Sequence, residues 1–472
     1  MNFTHPHFLI FLALFIVPYS FAKGKWKHII LLIASYIFYA YFSLDFCLLL
    51  FVSTLADFII VKQMMPKNTL KSKKWVCLSI VFNLALLGIF KYKSFLWNDC
   101  LSPLFLILGH PLMEIEGGLP PVGISFFTFQ TMSYSIDVYR GKINRSQSFL
   151  QFAVYVSMFP QLVAGPIVRA KDLLYQINEK IVVCKDDVVY GTERFVWGFL
   201  KKACIADSLA ILLVDPAFSS PENQTPLRLC LAMVAYSFQI YFDFSGYSDM
   251  AIGIGRLIGF KFPENFSHPY QSKSFSEFWT RWHISLSSWL RDYLYISMGG
   301  NRNGLIRTLI NLMITMLLGG LWHGASFLFV FWGFMHGCFL IIEKLWVMFV
   351  PSNVIKKTPS FVKTIFVFSC ITICWVPFRA QSSSDLEFFW MAPFHLNWYG
   401  LFDQLLSLKL DILILLGICI FSHFFRNRAQ MFCRYDKWPF EFKSIFWACL
   451  LFFMVHYYPD STQTIPFIYF RF

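Results

Sequence analysis

The sequence predicts an all-α, polytopic integral membrane protein. Hydrophobic residues make up 57% of the 472 residues and charged residues only 14%, against about 45–50% and about 25% in soluble domains. So few charges cannot cover a water-exposed surface. Aromatic residues, which are counted within the hydrophobic fraction, make up 20% of the chain, and such rings suit a lipid-facing surface and its two interfaces with water. Apolar runs that approach the length of a membrane span recur from one end of the chain to the other.

The predicted elements follow these runs in order. They lie at 7–22, 28–44, 46–61, 75–90, 121–136, 146–164, 195–215, 227–260, 308–342, 364–378, 410–425 and 444–458. Because a span needs about 20 apolar residues, we expect about 11 to 13 transmembrane or re-entrant helices. The first run lacks a charged leader and a cleavage site, so Phe8 to Phe21 is predicted to be a retained span. We find no internal repeat or long linker, and we expect a single integral domain over residues 1–472.

Basic residues predict the orientation of these helices. The net charge is +13, but the basic residues cluster in short loops between apolar runs, which argues for membrane topology and against nucleic-acid binding. Three lysines follow the first run, none the second, five the third, two the fourth and three basic residues the fifth. Since Lys and Arg favour cytoplasmic loops, this alternation places the loop from Lys62 to Lys74 in the cytoplasm and the N-terminus outside. Five basic residues from Arg426 to Lys443 predict a cytoplasmic loop before the last run, which places the C-terminus outside as well.

The run at 308–342 contains no acidic residue, lysine or arginine. As one helix it would be about 52 Å long, which exceeds a hydrocarbon core of about 30 Å. We therefore expect a break at the glycines of 319–324, with a cavity beside His323. An ionisable residue inside a membrane marks function by default, and a neutral imidazole can act as a general base. The alternative is a core histidine that donates one hydrogen bond, and we assign that role to His336.

Two further segments combine polar side chains with apolar surroundings. Residues 277–295 place His283 among tryptophans and arginines, as in an aromatic interfacial anchor or a re-entrant site, and the residues alone do not decide between them. Asp243 and Asp249 lie in an apolar run and need partners. Structural pairing is the commoner role for such carboxylates, and substrate polarisation is the other. Residues 159–169 contain Pro and Gly that end a span early, which indicates a loop that enters the membrane.

Several motifs together resemble the membrane-bound O-acyltransferase family, in the branch of alginate O-acetylation proteins. They are Phe126 to Gln130, Ser135 to Gly141, Phe159 to Arg169, Tyr241 to Met250, Asn265 to Arg302, Gly320 to Gly324 and Trp375 to Ala380. The motifs are densest at 120–340. The resemblance implies a helical bundle around a central tunnel, reached by an acyl donor from the cytoplasm and by an acceptor from outside.

The resemblance also implies roles for individual residues. His323 matches the central histidine of the family and would be the base, while His283 would orient the donor or acceptor. We assign substrate contacts to Trp282, Trp322, Asp243, Gln239 and Arg281, and no metal site is expected. No cofactor is expected to be bound, and acetyl-CoA is the expected donor, although a carrier-protein thioester serves the related branch that loads D-alanine onto teichoic acids.

The resemblance further implies an outer-side partner protein that acetylates an envelope polysaccharide, alginate-like or peptidoglycan, in the bacterial cytoplasmic (inner) membrane and in contact with its lipid. Tyr469 lies in an aromatic ending typical of this branch. It is either an interfacial anchor or a relay that takes the acyl group on its phenolic oxygen. Two other classes stay open: a transporter with His323 as an intramembrane proton or ligand site, and a non-catalytic scaffold.

Overall fold

The computed structural model describes residues 1–64, 70–110, 112–118, 120–406 and 408–424, together with residues 439, 441, 448, 452, 467 and 468. Its α-helices are α1 Pro6–Phe21, α2 Lys25–Ala40, α3 Leu44–Lys62, α4 Leu70–Phe90, α5 Ser102–Ile107, α6 Ile124–Tyr139, α7 Phe149–Ser157, α8 Phe159–Leu162, α9 Ala170–Asn178, α10 Lys185–Phe199, α11 Asp207–Leu209, α12 Asp215–Ser219, α13 Pro226–Leu257, α14 Phe275–Arg281, α15 Ile284–Trp289, α16 Leu305–His323, α17 Phe327–Phe349, α18 Ser352–Lys357, α19 Ser360–Arg379, α20 Ser383–Met391, α21 Leu401–Leu406 and α22 Leu410–Phe424.

Shorter turns of other helix types complete the regular structure. The π-helices are Phe95–Leu101, Leu200–Ala206, Ala210–Val214 and Leu290–Tyr295, and the 3₁₀-helices are Pro221–Asn223, Pro269–Gln271 and Ala392–His395. Within the residues that the structure describes there is no strand. The predicted all-α fold is confirmed.

Six helices of the described chain, α3, α4, α13, α16, α17 and α19, are long and apolar enough to cross a membrane. Shorter apolar helices are α1, the segment Phe95–Ile107 and α22. The multi-pass character that the composition predicts is therefore present in the fold. Most of the run predicted at 444–458 lies outside the described residues.

The described residues group into two compact units. The first consists of Met1–Val196 with Tyr247–Glu264, and the second of Trp197–Gly246 with the described residues from Asn265 onward. Two of the boundaries fall inside α10 and α13, and a third follows Glu264. A single integral domain stays a prediction.

A buried polar cluster joins α3, α4 and α6 in the first unit. The Asp57 carboxylate accepts hydrogen bonds from Ser79 Oγ at 2.6 Å and from Asn83 Nδ2 at 2.8 Å. Thr131 Oγ1 of α6 donates to Asn83 Oδ1 at 2.9 Å, and the Ser79 and Ser135 hydroxyls lie 2.8 Å apart. Because a polar group in an apolar interior is costly unless it is hydrogen-bonded, these contacts fix the register of the three helices.

In the same unit, ion pairs hold the C-terminal part of α13 against α10. Arg194 Nε donates to Asp249 Oδ1 at 2.8 Å, and Arg194 Nη2 lies 2.5 Å from Glu264 Oε2. Asp187 pairs with Arg256 at 3.1 Å. Hydrogen bonds from the Cys184 thiol and amide, with a smaller contribution from Arg256, lower the pKa of Asp187.

Also in the first unit, residues 163–169 follow α8 without helical structure and are mostly buried. Non-helical backbone is tolerated at membrane depth only where protein or a wet cavity surrounds it. This segment has the form that its Pro and Gly content predicts.

In the second unit, the run at 308–342 is split into α16 and α17. α16 ends at His323, Gly324 adopts an extended conformation with φ −159°, and α17 begins after Ser326, whose side chain accepts from Leu328 N at 3.2 Å. The predicted break at the glycine cluster is confirmed. A Cβ built on Gly320 would clash with the Phe329 carbonyl, and one on Gly333 with the Met316 carbonyl. The two helices therefore pack with their backbones in close contact.

α17 also holds the start of α14. The Glu343 carboxylate accepts from Phe275 N at 2.5 Å and from Ser276 N at 3.2 Å. These are backbone donors that the first turn of a helix leaves without an internal partner, and a negative charge there is favoured by the helix dipole. The Ser274 side chain accepts from Glu277 N at 3.1 Å and completes the cap.

Candidate active site

His323 is the last residue of α16 and is buried, with 4% of its surface exposed. Three aromatic rings surround its imidazole at centroid distances of 5.0 Å (Trp322), 5.0 Å (Trp332) and 5.1 Å (Phe378), each at 71–84° to it. The close packing of α16 on α17 brings Trp332 to this position.

The position of His323 at the C-terminus of α16 favours a positive charge on its imidazole, whereas its burial disfavours one. A cation at a helix C-terminus gains about 0.3–2 kcal/mol from the helix dipole. His323 is therefore equipped to act as a general base toward a bound hydroxyl group.

His283 lies between α14 and α15 and is fully buried. Its backbone is left-handed, with φ 42° and ψ 56°. A residue with a side chain adopts this conformation at a cost of roughly 1–3 kcal/mol and keeps it only where its surroundings fix it. Here Asn265 fixes it: Oδ1 lies 3.1 Å from His283 Nδ1 and accepts from Ser285 N at 3.2 Å and Ser285 Oγ at 2.9 Å.

The Asn265 contact determines which nitrogen of His283 carries the proton. Since Ser285 N–H donates to Asn265 Oδ1, that atom is an acceptor, and the Nδ1 of a neutral His283 donates to it. The Nε2 atom is then the acceptor of the ring. His283 can hold a hydroxyl or amide hydrogen of a substrate through this atom.

Trp322 connects the two histidines. Its ring lies 5.9 Å from that of His283 and 5.0 Å from that of His323. Phe244 of α13 packs edge-on against His283 at 4.6 Å. The structure thus places three of the predicted site residues, His283, Trp322 and His323, in one buried aromatic cluster.

Trp282 belongs to the wall of the same cluster. It is 1% exposed and its ring lies 4.9 Å from Trp375, which stacks on Trp332 at 5.8 Å. Trp332 in turn contacts His323 at 5.0 Å. Trp375 Nε1 donates to Tyr270 Oη at 3.2 Å. The tryptophans therefore shape an apolar wall next to His323.

Asp243 has buried partners. Its Oδ1 lies 2.7 Å from Lys202 Nζ, which also pairs with Asp207 Oδ1 at 2.6 Å. Its Oδ2 accepts from the backbone N–H of Ile468 at 2.8 Å. The side chains of Lys202 and Asp243 are only 1% and 3% exposed.

Three predicted residues remain, and two of them belong to the described part of the chain. Arg281 pairs with Glu277 at 2.7 Å and donates to Ser267 O at 3.2 Å. Gln239 is buried on α13, one helical turn before Asp243, and its Oε1 finds no hydrogen-bond partner among the described residues. Tyr469 lies outside the described residues.

Sequence reasoning missed Asn265 and Lys202. Lys202 carried a usable signal, because it is a charged residue in an apolar run and the buried Asp243 needed a cation. Asn265 carried none in its own surroundings, since its contact with His283 spans 18 positions and depends on the chain reversal between them.

Comparison with known proteins decides the family. The family description of MBOAT, membrane-bound O-acyltransferase, matches residues 31–380. The chain belongs to the membrane-bound O-acyltransferase family. The matched region contains both histidines of the aromatic cluster, the α16–α17 break and all six long apolar helices in full.

Several proteins that are similar to this chain are named for acyl transfer to a polymer of the cell envelope or to alginate. The chain is 44% identical over 385 residues to the probable alginate O-acetylase AlgI of Pseudomonas aeruginosa, which covers 81% of this chain and 72% of that protein. It is 33% identical over 411 residues to the peptidoglycan O-acetyltransferase of Helicobacter pylori, covering 79% and 74%. A teichoic acid D-alanyltransferase of Streptococcus thermophilus is 30% identical over 279 residues, covering 55% and 64%.

Family membership and the apolar helices agree on the class of protein. The chain is a multi-pass membrane-bound O-acyltransferase. Such an enzyme transfers an acyl group to a hydroxyl oxygen, and the buried histidine pair of the second unit has the residue types that this reaction needs.

Proposed function

We propose that the protein is an O-acetyltransferase that moves an acetyl group from a cytoplasmic thioester donor across the bacterial inner membrane for O-acetylation of an extracytoplasmic polysaccharide. The names of its more similar relatives support acetyl as the group and alginate or peptidoglycan as the kind of acceptor. The donor is acetyl-CoA. The final acceptor is reached through a partner protein on the outer side.

The contact of both His283 and His323 with the Trp322 ring carries this proposal. A thioester is already activated, so the enzyme needs only to orient the hydroxyl group, remove its proton and stabilise the oxyanion. His323 removes the proton as the oxygen attacks the thioester carbonyl. The C–O bond forms, the C–S bond breaks, and the proton passes from His323 to the departing thiolate. His283 Nε2 orients one of the two reactants.

Tyr469 is the proposed first acceptor of the acetyl group. Its phenolic oxygen takes the acetyl group and forms an ester, from which a hydroxyl of the outer partner removes it, returning the proton to the tyrosine. The burial of Phe467 and Ile468 supports this role, because these two residues directly precede Tyr469 in sequence and are packed among residues of the second unit.

Replacing the tyrosine tests the relay. In Tyr469→Phe the ring is kept and only the hydroxyl is lost, so polymer acetylation should fall about 10²-fold or more while donor binding is unchanged. Radiolabelled acetyl on the polymer and donor titration measure the two properties. Full polymer acetylation in this variant would leave an interfacial anchor as the role of Tyr469.

Replacing the base tests the proposed function as a whole. His323→Ala should lower transfer of radiolabelled acetyl to the external acceptor by about 10²-fold or more, the usual contribution of a general base. The amount of folded protein and its Tm should change little. His110→Ala removes an exposed histidine and serves as the control. Wild-type transfer by His323→Ala would make His323 a packing residue and contradict the proposal.

D-alanyl transfer is a second candidate, favoured by the similarity to teichoic acid D-alanyltransferases. The same assay separates the two when it is supplied with a D-alanyl-charged carrier protein in place of acetyl-CoA. It also separates an acyltransferase from a transporter, because only the former attaches label covalently to an acceptor.

A further inference from the structure

A buried group of three charges lies in the second unit and takes no part in the chemistry proposed above. Lys202 Nζ is 2.6 Å from Asp207 and 2.7 Å from Asp243, and all three side chains are at least nine-tenths buried. One cation faces two carboxylates. Each buried carboxylate costs desolvation energy. Because one carboxylate is enough to pair with Lys202, a purely structural ion pair would need only one of the two acids.

A glycine of α13, Gly246, allows the backbone at Lys202 to approach this helix closely. A Cβ on Gly246 would lie 2.7 Å from the Gly198 carbonyl and 3.0 Å from Lys202 N, so only glycine permits the close approach. Gly246 follows Asp243 by about one turn of α13 and therefore lies on the same face. Lys202 itself is in the π-helix Leu200–Ala206, a geometry that is frequent at functional sites.

The second carboxylate oxygen of Asp243, Oδ2, binds the backbone near the end of the chain. We call Phe467 and Ile468 the tail. It accepts the backbone N–H of Ile468 at 2.8 Å, across 225 positions of sequence. Phe467 and Ile468 are 0% and 4% exposed. A hydrogen bond to a carboxylate is roughly twice as strong as one between neutral groups, so this contact is a firm point of attachment for the tail.

The same two residues of α13 connect the tail to the histidine cluster. Phe467 contacts the Phe244 ring at 5.9 Å, and Phe244 packs on His283 at 4.6 Å. Asp243 and Phe244 are consecutive, so one point of α13 contacts both the backbone and the side chain of the tail. Phe467 is thus separated by one aromatic ring from His283, the residue that we assign to substrate orientation.

We propose that Lys202 and Asp243 form a clamp that docks the tail of this chain at Ile468 and thereby positions Tyr469 for acyl transfer. This inference rests on the proposed relay through Tyr469. Asp243 acts through the tail and is a positioning residue. Lys202 holds Oδ1, which directs Oδ2 toward the Ile468 amide.

The chain contains a matched control for the clamp. Asp243→Ala and Asp207→Ala each leave Lys202 with one carboxylate, but only Asp243→Ala removes the acceptor of the Ile468 N–H. Hydrogen–deuterium exchange of the purified full chain, followed by mass spectrometry of the tail peptide, measures that amide directly. We expect exchange at Ile468 to be about tenfold faster or more in Asp243→Ala and unchanged in Asp207→Ala.

Steady-state kinetics measure whether docking positions the tyrosine. In Asp243→Ala the kcat for acetyl transfer should fall about tenfold or more with the KM for acetyl-CoA unchanged, because the proposed clamp acts on the tail and not on the donor, whereas a rise in KM would indicate a substrate contact of Asp243. Asp243→Asn keeps an acceptor oxygen and should restore part of both exchange protection and kcat. If Asp243→Ala does not give folded protein, the Asn variant carries the same two measurements, with a smaller change expected in each.

Several results would overturn the clamp. Protection of Ile468 in Asp243→Ala, equal losses in Asp207→Ala, or rapid exchange with an unchanged kcat would each do so. Failure of the clamp is distinguishable from failure of the relay. An inactive Tyr469→Phe beside a fully active Asp243→Ala removes the clamp alone, whereas a fully active Tyr469→Phe removes the relay.

Discussion

At the scale of single residues, the site depends on how His283 is held. A left-handed backbone and a side-chain contact with Asn265 together fix the ring and its tautomer. Among the described non-glycine residues, only His268 shares this left-handed backbone conformation. Such a local cost is typical of residues that a functional site keeps in place.

Removal of the Asn265 amide tests this tautomer. Asn265→Ala takes away the acceptor of Nδ1, so His283 is free to protonate either nitrogen and to rotate. We expect kcat for acetyl transfer to fall about tenfold or more, with the amount of folded protein retained. Ser285→Ala removes a donor to the same Oδ1 and a long contact of 3.5 Å with His283 Nδ1, but keeps the Asn265 contact, so it should stay within a few-fold of wild type. Equal activity in the two variants would contradict the tautomer assignment.

The sequence predicts the residue types of the site better than their contacts. His323 stands out because it interrupts an uncharged run beside glycines, and Asp243 because an acid in an apolar run needs a partner. The identity of that partner depends on how α13 packs against residues 197–206, and no local pattern encodes such packing. The pairing of Arg281 with Glu277 is the opposite case, since a spacing of four residues on one helix brings opposite charges together.

At the scale of elements, the α16–α17 pair carries His323. Glycines at 320 and 333 let the two backbones approach, and Trp332 reaches the imidazole as a result. The position of the break was predictable because three glycines lower helix propensity at one point of a run too long for one span. The close contact of the backbones was not, since glycine also occurs where nothing approaches it.

A pair of glycine substitutions measures this contact. In Gly333→Ala the new methyl group meets the Met316 carbonyl, so the helices must separate, and we expect a loss of about 1–3 kcal/mol in stability with reduced acetyl transfer. Gly88→Ala is the control, because among the described residues nothing lies within 4 Å of its Cβ. Thermal unfolding in one detergent compares the two. A Tm for Gly333→Ala at or above that of Gly88→Ala would show that the backbones are not in close contact.

At the scale of the whole molecule, amino-acid composition and the order of basic residues along the chain predict the membrane architecture better than local patterns do. The low content of charged residues predicted a multi-pass protein, and the apolar helices and the family both agree. Orientation follows from a separate signal, the alternation of lysine and arginine between loops.

Labelling of a single cysteine tests that orientation. Lys71 is exposed at the start of α4 and belongs to the loop predicted to be cytoplasmic. In a background cleared of accessible native thiols, including Cys77, Cys100 and Cys184, Lys71→Cys should react with a membrane-impermeant reagent only after the cells are opened. Reaction in intact cells would place the loop outside and reverse the proposed direction of acetyl transfer.

The contacts of α17 couple the two histidines mechanically. Trp332 touches His323, and eleven residues further along Glu343 caps the helix that leads to His283. A straight helix turns by about 100° per residue. One residue inserted between these positions would rotate either the tryptophan or the carboxylate out of place. The spacing within α17 therefore determines how far His323 lies from the helix that leads to His283.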